Sequence, residues 1–277
     1  MFDSCMHFGS GVRLEYFLVG PMSFRVVTFN IQNGESFDDT TSAPSSIDLD
    51  RTCEFIKSLA PDIFCLQEVE RGWDGGRQVE PPPNYIRLKE AFPNYDSVFS
   101  YPIPNDKEIP FGLGLAIFSK TSLRDFEKVH LPAANLEFEF EGKTRQASSR
   151  LLIEASTTIE GRDVRLMNTH LQAFFMIGGS SDSHPDQRNI IEERLKLYSG
   201  GAAILTGDMN SAPGETIVRQ FEDSGYQAAQ NSEVTWRRRP YITDHIFYNS
   251  NLELKSGRVF QTQVSDHHAV VADFDFH

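Results

Sequence analysis

Two stretches of this chain, DIFCLQEV at residues 62–69 and AAILTGD at 202–208, are apolar at nearly every position until they end in polar side chains. A strand with one wet face alternates apolar and polar residues, whereas one without that alternation must be covered on both faces. Such strands need helices or a second sheet above and below them, and the chain supplies candidates. Leu49, Cys53, Ile56, Leu59 and Ala60 share a helical face before Pro61. Ile191, Leu195 and Tyr198 mark an amphipathic helix over 185–198, with Ser183 or His184 as cap and Gly200-Gly201 ending it. FRVVTFNI at 24–31 runs into the turn pair Asn33-Gly34. Further strands are expected at 95–101, 112–119, 163–171, 242–248, 252–260 and 269–276, with short helices at 85–92 and 215–223. LEFEFEG at 136–142 turns at Gly142, and SRLLIEAS at 149–156 is expected to return beside it as an edge-like hairpin. Hairpins mixed with crossovers point to a large α/β layered fold rather than a strictly alternating one.

A chain of 277 residues, 39% hydrophobic, is long enough for a sizeable core. Residues 22–277 read as one domain and residues 1–21 as a loosely attached extension. That N-terminal stretch lacks a basic region and carries Asp3, Arg13 and Glu15, which makes it a poor secretory signal. The expected compartment is the cytoplasm, with no transmembrane segment and no protein partner indicated. Cys5, Cys53 and Cys65 are an odd number at no metal-ligand spacing, and are read as reduced. A formal charge of -13 repels polyanions unless a basic patch or a metal ion offsets it.

The ends of the apolar runs repeat one anomaly. Asn30 closes TFN, Glu68 sits in LQEV, Asn168 and His170 in NTHL, Asp208 and Asn210 in GDMN, Asp244 in ITDHIFY, and Asp266 with His267 in SDHH. Taken singly, each has an ordinary explanation: Glu68 as a surface charge, His170 as a satisfied core histidine, Asp208 and Asn210 as a turn bonding its own backbone. Taken in order they contain the parts for metal-assisted displacement at phosphorus. Hard oxygen ligands such as Glu68 suit Mg²⁺, which typically takes one or two carboxylates plus a phosphate oxygen.

The ordered set TFNIQ, LQEV, NTHLQ, GDMN and SDHHAV resembles the endonuclease/exonuclease/phosphatase superfamily, over about residues 24–276. The resemblance implies a four-layer sandwich, two packed mixed β-sheets flanked by helices, with a Mg²⁺ or Mn²⁺ site at one end of the sheets. It implies Asn30, Glu68 and Asp266 as metal-side residues, and Asp208 with Asn210 as the pair that positions the attacking water and a phosphoryl oxygen. His267 resembles the essential histidine and Asp244 the carboxylate that orients it. His170 is implied in stabilising the transition state or helping the leaving oxygen. The family often has Tyr after the orienting aspartate and Pro two positions after the last histidine. Here His245 and Ala269 stand there, and neither change removes a catalytic group.

One scaffold hosts many substrates. The compact basic run is Arg237-Arg238-Arg239, read as a small-anion clamp or a hairpin tip rather than a duplex-binding surface. Arg237 is thus a substrate-binding candidate, as are Asn168 and Trp73, the latter in the Gly/Pro-rich loop 70–84, where it stacks on a base or sugar or anchors its loop. LQAFFMIGG at 171–179 suits a lipid headgroup or apolar leaving group if exposed, and otherwise packs beneath its loop. The expectation is a metal-dependent phosphodiesterase for a small or lipid-like phosphate. A DNA or RNA nuclease is the second reading, and a non-catalytic module that binds a phosphorylated ligand is the alternative of another class.

Overall fold

The apolar runs form the centres of two sheets. The protein is described from a computed structural model covering residues 23–38, 40, 46–74, 77–107, 109 and 111–277. The extension expected over 1–21, with Cys5, lies outside the described residues. In chain order the strands are β1 (Phe24–Asn30), β2 (Ile63–Arg71), β3 (Asp96–Ser100), β4 (Gly112–Ser119), β5 (Arg124–Leu131), β6 (Glu137–Phe140), β7 (Lys143–Gln146), β8 (Arg150–Ile159), β9 (Arg162–His170), β10 (Ala202–Asp208), β11 (Tyr226–Ala228), β12 (Asp244–Asn249), β13 (Leu252–Phe260) and β14 (Ala269–Phe276). The helices are α1 (Leu49–Ser58), α2 (Pro83–Ala91), α3 (Asp186–Leu197) and α4 (Ile217–Asp223). One six-stranded sheet has the order β13-β14-β1-β2-β4-β3, the other β11-β12-β10-β9-β8-β5, and β6 pairs with β7 in a ribbon of its own.

Period-two alternation sorts each strand's residues between two cores. Val26, Ile63 and Ile117 of the first sheet meet Ile153, Leu166, Ile204 and Ile246 of the second in the inter-sheet layer. Their chain neighbours Val27, Phe64 and Phe118 face outward, beneath Leu49, Cys53, Ile56 and Leu88 of α1 and α2. On the other flank Met167, Ala203 and Leu205 lie beneath Ile191, Leu195, Ile217 and Phe221 of α3 and α4. The result is a four-layer α/β/β/α sandwich, the architecture that the family resemblance implied. Cys53 and Cys65 are buried and free, and among the described residues no helix is long and apolar enough to cross a membrane.

The pairing of the 136–156 region differs from expectation. β6 returns through β7, Phe138 opposite Arg145, while β8 lies inside the second sheet between β5 and β9. Nearly every residue of β8 is buried, so it cannot serve as an edge. The polar KTRQ segment carries no strand signal of its own, and β5, an exposed edge with the sequence RDFEKVHL, carries little more.

Toward one end of the sandwich the inter-sheet layer turns polar. Gln67 Nε2 donates to Thr28 Oγ1 at 3.0 Å and to Asn168 Oδ1 at 2.7 Å. Asn168 Nδ2 donates to the carbonyls of Leu66 at 2.9 Å and Ala116 at 3.1 Å, and Thr206 Oγ1 reaches Asn168 Oδ1 at 3.3 Å. This stratum links polar groups across both sheets, although the buried Gln67 Oε1 has no hydrogen-bond partner among the described residues. It separates the apolar core from the next row outward, which holds the candidate site.

Candidate active site

Three strands deliver one row. Asp208 pairs with His170 across the parallel β9–β10 ladder and with Asp244 across the antiparallel β10–β12 ladder, so the three stand side by side. Asn30, at the end of β1, enters from the opposite sheet. Its Nδ2 donates to Asp208 Oδ2 and to Glu68 Oε1, each at 3.1 Å, tying the two carboxylates together. Its oxygen is turned to the backbone N–H of Gln32 at 3.1 Å. Asn30 thus stands between the two carboxylates, its amide nitrogen donating to both.

Simple alternation from Gln67 would point Glu68 at the helices instead. The β2–β4 register slips between Gln67 and Glu70, and Glu68 adopts φ 51°, a conformation disfavoured for a side chain of this kind. The bulge swings its carboxylate into the site, against Gly112, where an added Cβ would stand 2.2 Å from Glu68 Oε2. Asn210 also has positive φ, 46°; its N–H caps Asp208 Oδ1 at 2.9 Å and its Nδ2 donates to the Leu171 carbonyl at 3.0 Å. Asparagine tolerates this turn through such local bonding.

His267 lies in the bend before β14. Its Nδ1 is 2.8 Å from Asp244 Oδ2, which also accepts Thr243 Oγ1 at 3.0 Å. That contact directs Nε2 toward the cleft, 3.6 Å from Asp208 Oδ2 and 3.9 Å from Asp266 Oδ1. Asp266 Oδ2 is engaged by Arg238 and by Trp236 Nε1, leaving Oδ1 toward the site. His170 Nε2 stands 3.6 Å from Asp208 Oδ2 and 3.8 Å from Glu68 Oε1.

The electrostatics divide these groups. Burial and the negative charge of Asp266 push the Glu68 carboxyl up to about 7, and burial with Asp244 pushes Asp208 up to about 7. Burial, Arg150 and His267 hold His170 well below the ordinary histidine value. Burial opposes a charged His267, but Asp244 and Asp208 outweigh it and hold its imidazole well above the ordinary value. Asp208, Asp244 and His267 bring potential metal-ligating atoms within 4.8 Å of one another. Because Asp244 takes Nδ1 and His267 favours the charged state, the trio is built around a proton. The oxygens that fit a hard divalent cation are those of Glu68 and Asp266, the negative charge of Asp266 raising the cost of charging Glu68 until a cation intervenes.

Glu68, His170, Asp208, Asp266 and His267 wall a cleft of about 210 Å³, which Asn210 also lines. Asn168 does not reach it, since the interior stratum occupies its amide, and so the structure corrects its expected substrate-binding place. Arg237 is also turned elsewhere: its Nη1 donates to the carbonyls of Phe37 at 2.7 Å and Ser265 at 3.2 Å. The Trp73 ring has the guanidinium groups of Arg71 and Arg77 over it, at 4.8 and 5.0 Å, and Arg71 lines a separate groove that meets the cleft at Glu68 and Phe111. The residue that sequence reasoning missed is Arg150, 7% exposed, whose guanidinium lies over the Phe111 ring at 4.6 Å in the cleft wall. An arginine opening the apolar run Leu151, Leu152 and Ile153 was the available signal.

The order of these residues along the chain is also that of a known family: residues 27–267 match the Endonuclease/Exonuclease/phosphatase family. The chain belongs to that family. Family members are hydrolases acting on phosphoester bonds. Similar solved structures include an endonuclease/exonuclease/phosphatase from Beutenbergia cavernae, 20% identical with a TM-score of 0.67, covering 92% of this chain and 72% of that one. The catalytic domain of human nocturnin with bound sulfate is 21% identical, TM-score 0.62, covering 92% and 95%. A mannosyl-6-phosphatase from Bacteroides thetaiotaomicron is 17% identical, TM-score 0.59, covering 91% and 100%. At these identities the likeness establishes the fold. No curated protein matches the sequence.

Proposed function

We propose that the protein is a divalent-metal-dependent phosphoesterase, a phosphodiesterase for a small or lipid-like phosphate, and that it works by in-line attack of water. The observation that carries this reading is the convergence of Glu68 and His170, Asp208 and the His267–Asp244 pair at one end of the sandwich, on a cleft that also exposes a buried arginine. Bound at Glu68 and Asp266, Mg²⁺ or Mn²⁺ would supply charge neutralisation at a phosphoryl oxygen.

The chain's own groups divide the remaining work. Asp208 Oδ2, with a carboxyl near neutrality, takes the proton of the attacking water. His267, held as imidazolium by Asp244, donates from Nε2 to a phosphoryl oxygen as negative charge gathers there. Arg150 adds a second positive group in the wall, and neutral His170 keeps a hydrogen-bonding nitrogen beside Asp208. Water's oxygen bonds to phosphorus as the bond from phosphorus to the ester oxygen breaks; the proton taken by Asp208 is then released to solvent, from which the departed alkoxide takes one, and Asp208 returns to carboxylate.

A 210 Å³ cleft in a chain of net charge -13 accommodates a compact ester better than a duplex, which is the reason to place the nuclease reading second. The test is hydrolysis of bis(p-nitrophenyl) phosphate beside p-nitrophenyl phosphate, with Mg²⁺, with Mn²⁺ and with chelator, using His267→Ala as control. Metal-dependent turnover of the diester, lost in the variant, is the expected result. Metal binding without turnover of either ester or of single-stranded oligonucleotides would replace the enzyme with a binding module.

A further inference from the structure

The cleft has two unlike walls. One is the polar row of strand ends. The other is assembled from three segments outside the sheet ends: Phe138 from the β6–β7 ribbon, Phe175, Met176 and Ile177 from the loop after β9, and Trp236 from the segment before β12. Phe175 packs against Trp236 and Tyr241 at ring separations of 5.6 and 5.4 Å, and the Arg239 guanidinium lies 5.7 Å from Phe175 and 6.0 Å from Trp236. The Trp236 ring is in turn 6.3 Å from the His267 imidazole. Met176 is 55% exposed at this edge, although its neighbour Phe174 is buried.

Three segments that bring apolar groups to the border of a charged cleft leave area there that water covers poorly. A ligand matching both walls has an anionic head and an apolar body. The space is also limited. An apolar cavity of about 150 Å³ is enough to hold a benzene ring, so 210 Å³ accepts a phosphoryl group projecting from the strand ends and roughly one ring against the aromatic wall.

We infer that the wall formed by Phe138, Phe175, Met176 and Trp236 is a subsite for a flat, apolar ring carried by the phosphoester substrate. The inference rests on the phosphoesterase reading above and narrows its substrate class, from any small phosphate to a ring-bearing one. The ring stacks among the aromatic side chains while its phosphoryl group meets Arg150 and the His267 Nε2. Sugar and short polar substituents gain nothing from this wall.

The test measures binding rather than turnover. Phosphonates have a carbon–phosphorus bond that ester hydrolysis does not cleave, so their affinities are read at equilibrium with Mg²⁺ present. The chain has two tryptophans, and Trp73→Phe leaves Trp236 as the sole fluorescent reporter. The probes are inorganic phosphate and methyl-, 2-hydroxyethyl-, hexyl- and phenylphosphonate, with calorimetry as a second readout. The expected result is phenylphosphonate binding at least tenfold tighter than each of the others, on the order given by burying one ring. That advantage is expected to fall to about twofold in Met176→Ala and in Phe138→Ala, with the affinity for inorganic phosphate unchanged. Equal affinities across the phosphonates, or hexylphosphonate matching phenylphosphonate, would overturn the ring subsite and leave the phosphoesterase standing. Failure of every probe, inorganic phosphate included, to bind by either readout would overturn both.

Discussion

Gly112 lies directly against Glu68: a methyl group on Gly112 would stand 2.2 Å from Oε2 and 2.4 Å from Cβ of the glutamate. The bare backbone at this point lets a bulged strand turn its carboxylate back toward the inter-sheet side. Gly112→Ala is expected to displace Glu68 and weaken Mg²⁺ activation about 10–100-fold, the usual cost of disturbing a group that orients a metal ligand. Metal titration of activity, with the thermal midpoint measured alongside, checks this. Unchanged metal dependence would remove Glu68 from the metal site.

Asp244→Asn is expected to lower kcat/KM about 10²–10⁴-fold without unfolding the protein. Asp244 helps to hold the His267 pKa above its ordinary value, so the charged form persists well above pH 6.5 in the folded protein. A raised folded pKa contributes stability that is complete below the unfolded value and is lost as pH rises through the folded one. The alkaline limb of the pH–rate profile is therefore expected to move to lower pH in the variant. Imidazole proton resonances followed through the same titration report the shift directly.

Glu154, fully buried, accepts from Arg165 and Arg194 and from the Tyr198 hydroxyl at 2.7–3.2 Å. Burial opposes its ionisation, but the two arginines prevail and its pKa is lowered. Its contribution is present above the unfolded carboxyl value and lost as pH falls through the folded one. Glu154→Gln is expected to cost about 1.5–3 kcal/mol at pH 7, since it removes a charged acceptor shared by buried Arg165 and half-buried Arg194, which among the described residues keep only Glu127 as a carboxylate partner. Urea unfolding at pH 7 and at pH 3 checks this, with a smaller difference between the two proteins at the lower pH.

Asn168→Leu separates an interior residue from a substrate contact. Losing the hydrogen bonds to Leu66 and Ala116 leaves two carbonyls and the Gln67 amide short of partners, at about 1–3 kcal/mol for each group stranded. Stability is expected to fall by that order while KM changes less than about threefold in the molecules that remain folded. A large rise in KM with stability intact would return Asn168 to the cleft.

What could be read in advance followed from periodicity. Apolar runs broken by Asp208, His170 and Asp244 reveal groups at strand ends because alternation puts residues 204, 206 and 208 on one face. Glu68 was legible as a residue type, but the bulge that turns it depends on contact with Gly112, more than forty positions away. Asn168 has the same local pattern as His170 two residues later, and only the depth of the opposite sheet separates the interior position from the one that lines the cleft. In the run Arg237-Arg238-Arg239 charge density pointed to an anion clamp or a hairpin tip; the run lies in the turn between Trp236 and Tyr241, where Arg237 turns to backbone carbonyls and Arg238 to Asp266. The cation that does line the cleft, Arg150, stands alone in its sequence neighbourhood. Pairing of β6 with β7 was hidden because a four-residue polar strand has no periodicity to detect.

His170, Asp208 and Asp244 occupy a single row across three hydrogen-bonded strands. A slip of one residue in β10 would set Gly207 opposite His170 and rotate Asp208 toward the helical layer. A misaligned chain would still bury much of its apolar surface and still look folded to circular dichroism, but it would lack the Asp208 carboxylate between His170 and His267. Specific activity in a refolded sample thus counts correctly aligned molecules, a proofreading signal that spectroscopic measures of helix and strand content do not contain.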